Sequence, residues 1–273
     1  MSLSIDIVGP MITEGGQDST KTTRMSSETK AKNIVFDVVG TLVSYEHFFV
    51  VIGQRLGSKL QPLNISARLL GFAWLESAER EYTYLSLSGK YLPFAQVFEA
   101  VFFRVLHFAG VPEPRSIATN EDVKFFMQEY KKCKVRPGAK ECIDRLNEDG
   151  WTVWAFTSGD RERVIAYFEN GNVKIKSKNL ITCDEIGIGK PEIAAYTKLK
   201  ERIGASADNA LWYAAAHGWD VSAAGRAGFK SAYCTVLEKE PLEDIFGETD
   251  VVTATLPELA DKVIPTTASY TRS

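Results

Sequence analysis

The stretch NIVFDVVGTL, residues 33–42, decides the fold of this chain. A short apolar run leads directly into Asp37, and Gly40-Thr41 follows three residues later. This order is typical of a buried β-strand that ends in a tight turn. Because ligands of open α/β sheets bind beyond the carboxyl ends of strands, Asp37 is the first candidate functional residue.

The chain after Pro137 alternates between strand-like and helix-like segments. This alternation predicts an α/β fold with a mostly parallel, doubly wound sheet flanked by helices. The predicted strands are 152–156, 180–182, 210–214, 231–235 and 250–252. The predicted helices are 138–150, 160–170, 192–203, 221–227 and one that starts at residue 257.

Residues 45–132 have a different character and interrupt the α/β pattern. They are rich in aromatic residues at helical spacing, as in Phe72, Leu75, Glu79 and Tyr82. The spacing predicts an inserted subdomain of about four helices. The α/β core then consists of residues 32–44 and 133–265, with a flexible N-terminal arm at 1–31 and a tail at 266–273.

Composition excludes several classes of function. The net charge is −3, and no basic stripe is present, which argues against nucleic acid as a partner. The four scattered cysteines and three histidines suggest neither a disulfide framework nor a zinc cluster. No signal peptide and no apolar run of about 18–20 residues is recognisable, so we expect a cytoplasmic protein without membrane association. Its partner is expected to be a small-molecule substrate.

Polar residues follow four of the predicted strands, which places them at one edge of the sheet. Each has an ordinary structural explanation, such as turn formation or helix capping by Asp160 and Asp220. Their convergence nevertheless predicts one shared pocket. The residues are Asp37 after the first strand, Thr157 and Ser158 after the second, Lys190 after the third, and His217 and Asp220 after the fourth.

Elementary chemistry suggests roles for these groups. A strand-tip carboxylate at Asp37 can attack an electrophilic carbon or phosphorus and form an ester or acyl phosphate that water cleaves. A lysine such as Lys190 keeps that carboxylate ionised. Small hydroxyl groups and turn amides hold a leaving group or an oxyanion. A histidine and an aspartate, His217 and Asp220, can activate the water.

The motifs together resemble those of the haloacid dehalogenase superfamily. The match covers roughly residues 33–262 and keeps the order of four motifs. Membership implies a Rossmann-like core, and the helical insertion lies where that superfamily has its cap. The motifs are Asp37-Val38-Val39-Gly40-Thr41-Leu42, Thr157-Ser158-Gly159, Lys190-Pro191 and Trp219-Asp220.

Departures from the superfamily pattern favour attack at carbon over attack at phosphorus. Phosphatases of the superfamily carry a second Asp where this chain has Val39, and an acidic magnesium ligand where it has Ala214-Ala215-Ala216. Without those carboxylates, magnesium-dependent phosphoryl transfer is disfavoured. The chain is more similar to the 2-haloacid dehalogenase branch, which implies an aspartyl ester on Asp37, no metal and no cofactor.

The resemblance to that branch also extends to other residues. The segments 81–85 and 89–94 of the insertion are similar to the dehalogenase cap, and Tyr196 matches a tyrosine found there. By this resemblance Asp37, Lys190 and Asp220 are expected to be catalytic, and His217 is expected to be catalytic from its chemistry and its position near Asp220. The residues expected to bind the substrate are Thr41, Thr157, Ser158, Tyr196, Glu76 and Arg80.

Two differences leave the substrate open. The dehalogenases have a cap arginine where this chain has Glu76, and Arg80, one helical turn later, either replaces it or forms a surface pair with Glu76. His217, three residues before Asp220, resembles the arrangement in cis-epoxysuccinate hydrolases. Opening an epoxide by the same ester mechanism releases an alkoxide and needs no halide cradle. An epoxide hydrolase that uses His217 and Asp220 to activate water is therefore an alternative.

Two further alternatives belong to other classes. The chain is also compatible with a non-hydrolytic binding protein on the same scaffold, or with a phosphatase or cyclase-like enzyme, which the lost carboxylates disfavour. The aromatic residues of the insertion are compatible with core packing, an apolar pocket or a homodimer seam, and core packing is the default. They include Phe48, Phe49, Phe102 and Phe103.

Overall fold

The computed structural model describes residues 31–204 and 210–266. Apart from residues 31 and 266, the predicted arm at 1–31 and tail at 266–273 lie outside the described residues. Within the described ranges, no helix is both long and apolar enough to cross a membrane.

Six parallel strands form the central sheet, in the order β5-β4-β1-β6-β7-β8. The first strand lies in the middle, with Asp37 opposite Phe156 on one side and Phe36 opposite Ala214 on the other. The strands are β1 Lys32–Asp37, β2 Val43–Ser44, β3 Lys134–Val135, β4 Thr152–Thr157, β5 Leu180–Thr182, β6 Ala210–Ala215, β7 Lys230–Cys234 and β8 Val251–Thr253. The predicted doubly wound α/β architecture is confirmed.

Helices cover the sheet and form the insertion. Five of them, α1 to α5, lie between β2 and β3, a short antiparallel pair at the base of the insertion. The helices are α1 Glu46–Leu60, α2 Ala67–Leu87, α3 Phe94–Phe108, α4 Pro114–Ile117, α5 Asn120–Tyr130, α6 Ala139–Glu148, α7 Arg161–Asn170, α8 Cys183–Ile186, α9 Ile193–Ile203, α10 Gly218–Arg226, α11 Glu243–Phe246 and α12 Leu256–Thr266.

Capping side chains explain where several helices begin. Asp160 accepts a hydrogen bond from the backbone N–H of Arg163 and caps α7, as the sequence predicts. Thr119 and Asp122 form a reciprocal capping box at α5. The capping role considered for Asp220 is wrong, because Asp220 lies inside α10 and its carboxylate is bonded elsewhere.

An aromatic cluster holds the insertion together. The Trp74 ring stacks on Phe98 at a centroid distance of 4.4 Å, and its indole N–H donates to the Phe98 carbonyl at 2.6 Å. Phe48 and Phe102 pack on the same indole. These rings are buried within the insertion, in agreement with the core packing expected for them.

Candidate active site

A cavity of about 290 Å³ opens where the carboxyl ends of the central strands face the helical insertion. Parallel strands bring their strand-end residues together at this edge. Most of the site residues predicted from the sequence line this cavity. They are Asp37, Thr157, Ser158, Lys190, His217, Glu76 and Arg80.

Asp37 is held by a donor on each of its oxygens. The Lys190 ammonium donates to Oδ1 at 2.9 Å, and the Thr41 hydroxyl donates to Oδ2 at 2.7 Å. Thr41 in turn accepts a hydrogen bond from the backbone N–H of Ala216 at 2.8 Å. The carboxylate, only 6% exposed, is therefore fixed in orientation at the end of β1 while still facing the cavity.

Lys190 lies between two buried carboxylates. Its ammonium group is 2.9 Å from Asp37 and 2.7 Å from Asp220. Burial alone lowers the pKa of Lys190, but the charges of Asp220 and Asp37 outweigh that effect and raise it. Lys190 is thus a cation at this position, in direct contact with Asp37.

Asp220 lies beneath the cavity in a network of hydroxyl groups. The Tyr213 hydroxyl is 3.0 Å from both carboxylate oxygens, and the Tyr196 hydroxyl donates to Oδ1. Burial raises the pKa of Asp220, and the neighbouring Lys190 ammonium acts in the opposite direction. These donors fix Asp220 as the second anchor of Lys190.

His217 is paired differently from the sequence expectation. Its Nδ1 lies 3.2 Å from Glu238, and its Nε2 lies 3.3 Å from the Val39 carbonyl. The Asp220 backbone N–H donates to the His217 carbonyl, but among the described residues no hydrogen bond joins the two side chains, so the expected His–Asp pair is wrong. Asp220 lies within α10, where its carboxylate is bonded to Lys190 and the two tyrosines, whereas the His217 ring faces Glu238.

The charge state of His217 does not suit a base that takes a proton from water. Burial lowers its pKa, but the hydrogen bond with Glu238 and the charges of Glu79 and Asp37 raise it to about 10. The imidazole is therefore protonated at neutral pH and acts as a cation or a proton donor.

Gly40 leaves the space that the His217 ring occupies. It has a positive φ of 97°, and a side chain there would clash with that ring.

Two residues expected to bind the substrate lie below the cavity instead of on its wall. Thr41 and Tyr196 are fully buried, and their hydroxyl groups are bonded to Asp37 and Asp220. The space beneath the strand ends is small, and these two side chains fill it themselves, so their expected contact with the substrate is wrong. Both residues position the carboxylates.

The turn after β4 contributes a small polar surface to the cavity. Thr157 accepts a hydrogen bond from the Gly159 N–H at 2.9 Å, and Ser158 lies 3.8 Å from the Cys183 sulfur. Both line the cavity, as the sequence predicts for residues that contact the substrate.

The insertion contributes Glu76 and Arg80 to the rim. Both are exposed, and the guanidinium of Arg80 pairs with Glu81 at 3.2 Å. The alternative of an Arg80–Glu76 surface pair is therefore wrong, because Glu81 holds that guanidinium. Arg80 reaches the cavity only from its edge, with its side chain 46% exposed.

Several polar residues of the site were not predicted from the sequence, and four of them carry or contact its charges. Glu79 and Arg163 line the cavity, Glu238 binds His217, and Tyr213 binds Asp220. The helical periodicity placed Glu79 on the same face as Phe72 and Tyr82, which was a usable signal. Arg163 and Glu238 gave none, because their positions depend on how a helix and a loop fold back over the strand ends.

The positive charge between the two buried carboxylates of the site comes from a lysine ammonium group. Within the described ranges, no group of three or more His, Cys, Asp or Glu side chains is arranged to hold a metal ion. Lys190 supplies the positive charge between Asp37 and Asp220. Val39, where superfamily phosphatases have a second carboxylate, lines the cavity with an apolar side chain.

A comparison with known proteins identifies the family of this chain. The family model described as haloacid dehalogenase-like hydrolase matches residues 31–228, well over half of the chain. The chain therefore belongs to the haloacid dehalogenase-like hydrolases, and the superfamily predicted from the four motifs is confirmed.

Individual relatives are similar over most of their length. The chain is 23% identical to an (S)-2-haloacid dehalogenase 4A of Burkholderia cepacia, over 72% of this chain and 80% of that protein. The structure of a dehalogenase with an intermediate complex has a TM-score of 0.72 at 21% identity, covering 86% and 98% of the two chains. A structure of L-2-haloacid dehalogenase from Xanthobacter autotrophicus with chloropropionic acid covalently bound has a TM-score of 0.67 at 19% identity, covering 85% and 98%. At these identities the structural likeness shows the shared fold.

Proposed function

We propose that this hydrolase acts on a small substrate at an activated carbon, with Asp37 as the nucleophile and without a metal ion. The observation that carries the proposal is the pair of donors on Asp37, Lys190 at 2.9 Å and Thr41 at 2.7 Å, at the floor of the cavity. They hold the carboxyl group in one orientation toward the space where a substrate fits.

The reaction proceeds in two balanced steps. First, an oxygen of Asp37 forms a bond to the substrate carbon, and the leaving group departs with the electrons of the broken bond. Water then adds to the carbonyl carbon of the resulting ester, and the alcohol leaves with the oxygen that came from Asp37. One proton of the water passes to the alcohol oxygen, and the other is released to solvent as the Asp37 carboxylate forms again. Lys190, close to Oδ1, stabilises the negative charge on that carboxyl group in the second step.

Carbon–halogen cleavage is the first chemistry to test. The relatives are named as (S)-2-haloacid dehalogenases, and one related structure carries chloropropionic acid covalently bound. A 2-halocarboxylate such as (S)-2-chloropropionate is therefore the substrate we propose.

Isotope labelling tests the covalent step. With enzyme in excess over (S)-2-chloropropionate in heavy-oxygen water, one turnover should place a heavy oxygen in the Asp37 carboxylate and leave the product unlabelled. Mass spectrometry of the digested protein locates the label, and peptides without Asp37 serve as the internal control. Label in the product with none at Asp37 rules out the ester mechanism.

A second candidate substrate is an epoxide, and the protonated His217 favours it. Epoxide opening leaves an alkoxide that must gain a proton, and His217, with a pKa raised to about 10, lines the same cavity as Asp37. In this reaction His217 donates the proton while Asp37 forms the ester. A departing halide needs no proton.

The variant His217→Asn separates the two candidates. For cis-epoxysuccinate we expect its rate of ring opening to fall by about 100-fold or more, as for loss of a general acid. Chloride release from (S)-2-chloropropionate should fall by much less. Equal losses on both substrates contradict proton donation by His217, and absence of ring opening by the wild-type protein removes the epoxide candidate.

A cytoplasmic location and a homodimer stay predictions. All four cysteines lie in the described residues, are buried and carry free thiols, which is compatible with a reducing compartment.

A further inference from the structure

Arg163 is a buried cation on the cavity wall, and it has no role in the two reaction steps proposed above. It lies in the first turn of α7, and the residue is only 6% exposed. Its Nε donates to Asp160 at 2.9 Å, and its guanidinium carbon lies 4.7 Å from the centre of the Tyr130 ring. The side chain thus spans from the core to the last helix of the insertion.

The guanidinium of Arg163 has one unused donor. Nη1 is buried and has no hydrogen-bond partner among the described residues. A buried, unsatisfied N–H on a charged group is costly, and such groups are rare in folded proteins. Because Arg163 lines the cavity, its guanidinium lies within reach of an anion bound there.

Gly159 lets the guanidinium reach this position. A side chain on residue 159 would clash with Nη2 of Arg163. The bare backbone at the turn after β4 therefore leaves room for the guanidinium beside Thr157 and Ser158, which line the same cavity.

The other cations of the cavity are already engaged. Lys190 is shared by Asp37 and Asp220, and His217 pairs with Glu238. Arg80 is half-exposed at the rim and pairs with Glu81. Among the described residues that line the cavity, Arg163 is the cation with a buried donor left over.

We propose that Arg163 binds the carboxylate group of the substrate. This inference rests on the proposed function, since it assigns an anion site to the same cavity. A guanidinium presents its N–H groups in a planar fork that matches a carboxylate, and such charge-assisted bonds are strong. The substrate anion is thus anchored from the core helix α7, whereas the insertion presents Glu76 at the position expected for an arginine.

Binding of propionate, which lacks a leaving group, tests the site apart from the chemistry. We expect Arg163→Gln to raise the dissociation constant of propionate by 10- to 100-fold, as for loss of a charge-assisted hydrogen bond. Arg163→Lys keeps the charge without the fork and should show a smaller rise. Arg161→Gln, on the same helix but paired with Glu185, removes the same charge and should leave the constant near the wild-type value.

A comparison of substrates distinguishes binding from a structural role. For 2-chloropropionate the KM of Arg163→Gln should rise by 10- to 100-fold, while the neutral 2-chloropropionamide should be turned over at an unchanged KM. A merely structural Arg163 affects both substrates alike, and that result overturns the proposal. So does a normal propionate affinity in Arg163→Gln, or a loss of affinity in Arg80→Gln instead.

The outcomes also separate this inference from the proposed function. Propionate binding that depends on Arg163, in a protein that hydrolyses neither halide nor epoxide, supports the anion site and contradicts the chemistry. If the protein hydrolyses a substrate but binds propionate equally well without Arg163, the result supports the proposed chemistry and contradicts the anion site. If Arg163→Gln does not fold, Arg163→Lys decides: wild-type propionate affinity in that variant overturns the proposal, and weaker affinity supports it.

Discussion

Lys190 organises the buried charges of the site. Its side chain is 1% exposed, and its ammonium contacts two carboxylates at 2.9 Å and 2.7 Å. The tyrosine hydroxyls on Asp220 compensate part of that second negative charge. Asp37 is therefore held in one orientation while it still faces the cavity. An ammonium group does here what a bound cation does in other carboxylate sites.

Replacing Lys190 should destabilise the fold as well as abolish hydrolysis. Lys190→Met leaves Asp37 and Asp220 buried beside each other without a cation, a change that costs about 3–5 kcal/mol in comparable buried pairs. Denaturant unfolding at neutral pH measures the loss. Lys198→Met, an exposed position on α9, is the control and should change the stability little.

A second substitution checks the cause of that loss. In Lys190→Met/Asp220→Asn, one of the unpaired carboxylates is removed, so the double variant should be less destabilised than the sum of the two single variants. Strict additivity shows that the ammonium and Asp220 do not interact as the geometry indicates.

Glu79 should make the stability depend on pH. Burial raises its pKa to about 7, with His217 acting in the opposite direction. The unfolded chain ionises this group near its ordinary value of about 4.5, so its contribution is fully present below that pH and is lost as the pH rises through 7. Glu79→Gln removes the titration, and its free energy of unfolding should equal that of wild type near pH 4.5 and exceed it at pH 9 by on the order of 3 kcal/mol.

Denaturant unfolding at several pH values measures this difference. The matched control is Glu99→Gln, an exposed glutamate on α3 that should change stability equally little at every pH. A Glu79→Gln variant that follows the wild-type pH profile contradicts a raised pKa at Glu79.

At the scale of elements, the strands of the sheet were predictable because they are short buried runs between turn residues. The predicted strand 180–182 coincides with β5, and the others differ by one residue at one end or at both ends. The antiparallel pair β2–β3 was not predictable, because two residues per strand give no periodicity to detect. The same holds for the single-turn helices α8 and α11.

The site was predictable only where it follows from strand ends. Asp37, Thr157, Lys190 and Asp220 are brought together because parallel strands end at one edge of the sheet. The partner of His217 was not predictable, since Glu238 comes from a loop after β7 whose path no local pattern records. A histidine near an aspartate in sequence can therefore face another carboxylate in the fold.

At the scale of the molecule, the insertion and the core meet directly beside Lys190. The backbone N–H of Gly189 donates to the Ser86 hydroxyl at 2.9 Å, and the Tyr91 hydroxyl donates to Asp184 at 2.6 Å. Thr83 bonds the Lys190 carbonyl at 3.4 Å. The loop that carries the ammonium is thus held from one side by helix α2, so the seating of the insertion and the position of Lys190 are coupled.

Gly189→Ala should disturb that coupling and lower activity more than stability. An added methyl group would lie 2.8 Å from the Tyr82 ring and 3.2 Å from Ser86, so α2 and the loop must move apart by a few tenths of an ångström. Because Lys190 is the next residue, its ammonium shifts relative to Asp37, and a misplacement of catalytic groups is far costlier to the rate than to folding. We expect kcat to fall by roughly 10- to 100-fold with a loss of stability of about 1–2 kcal/mol. The matched control is Gly57→Ala in α1, where nothing lies within 4 Å of the added methyl group. This variant should stabilise the protein by about 0.5–1 kcal/mol and leave kcat unchanged. An unchanged kcat in Gly189→Ala shows that the position of Lys190 does not depend on the contact with α2.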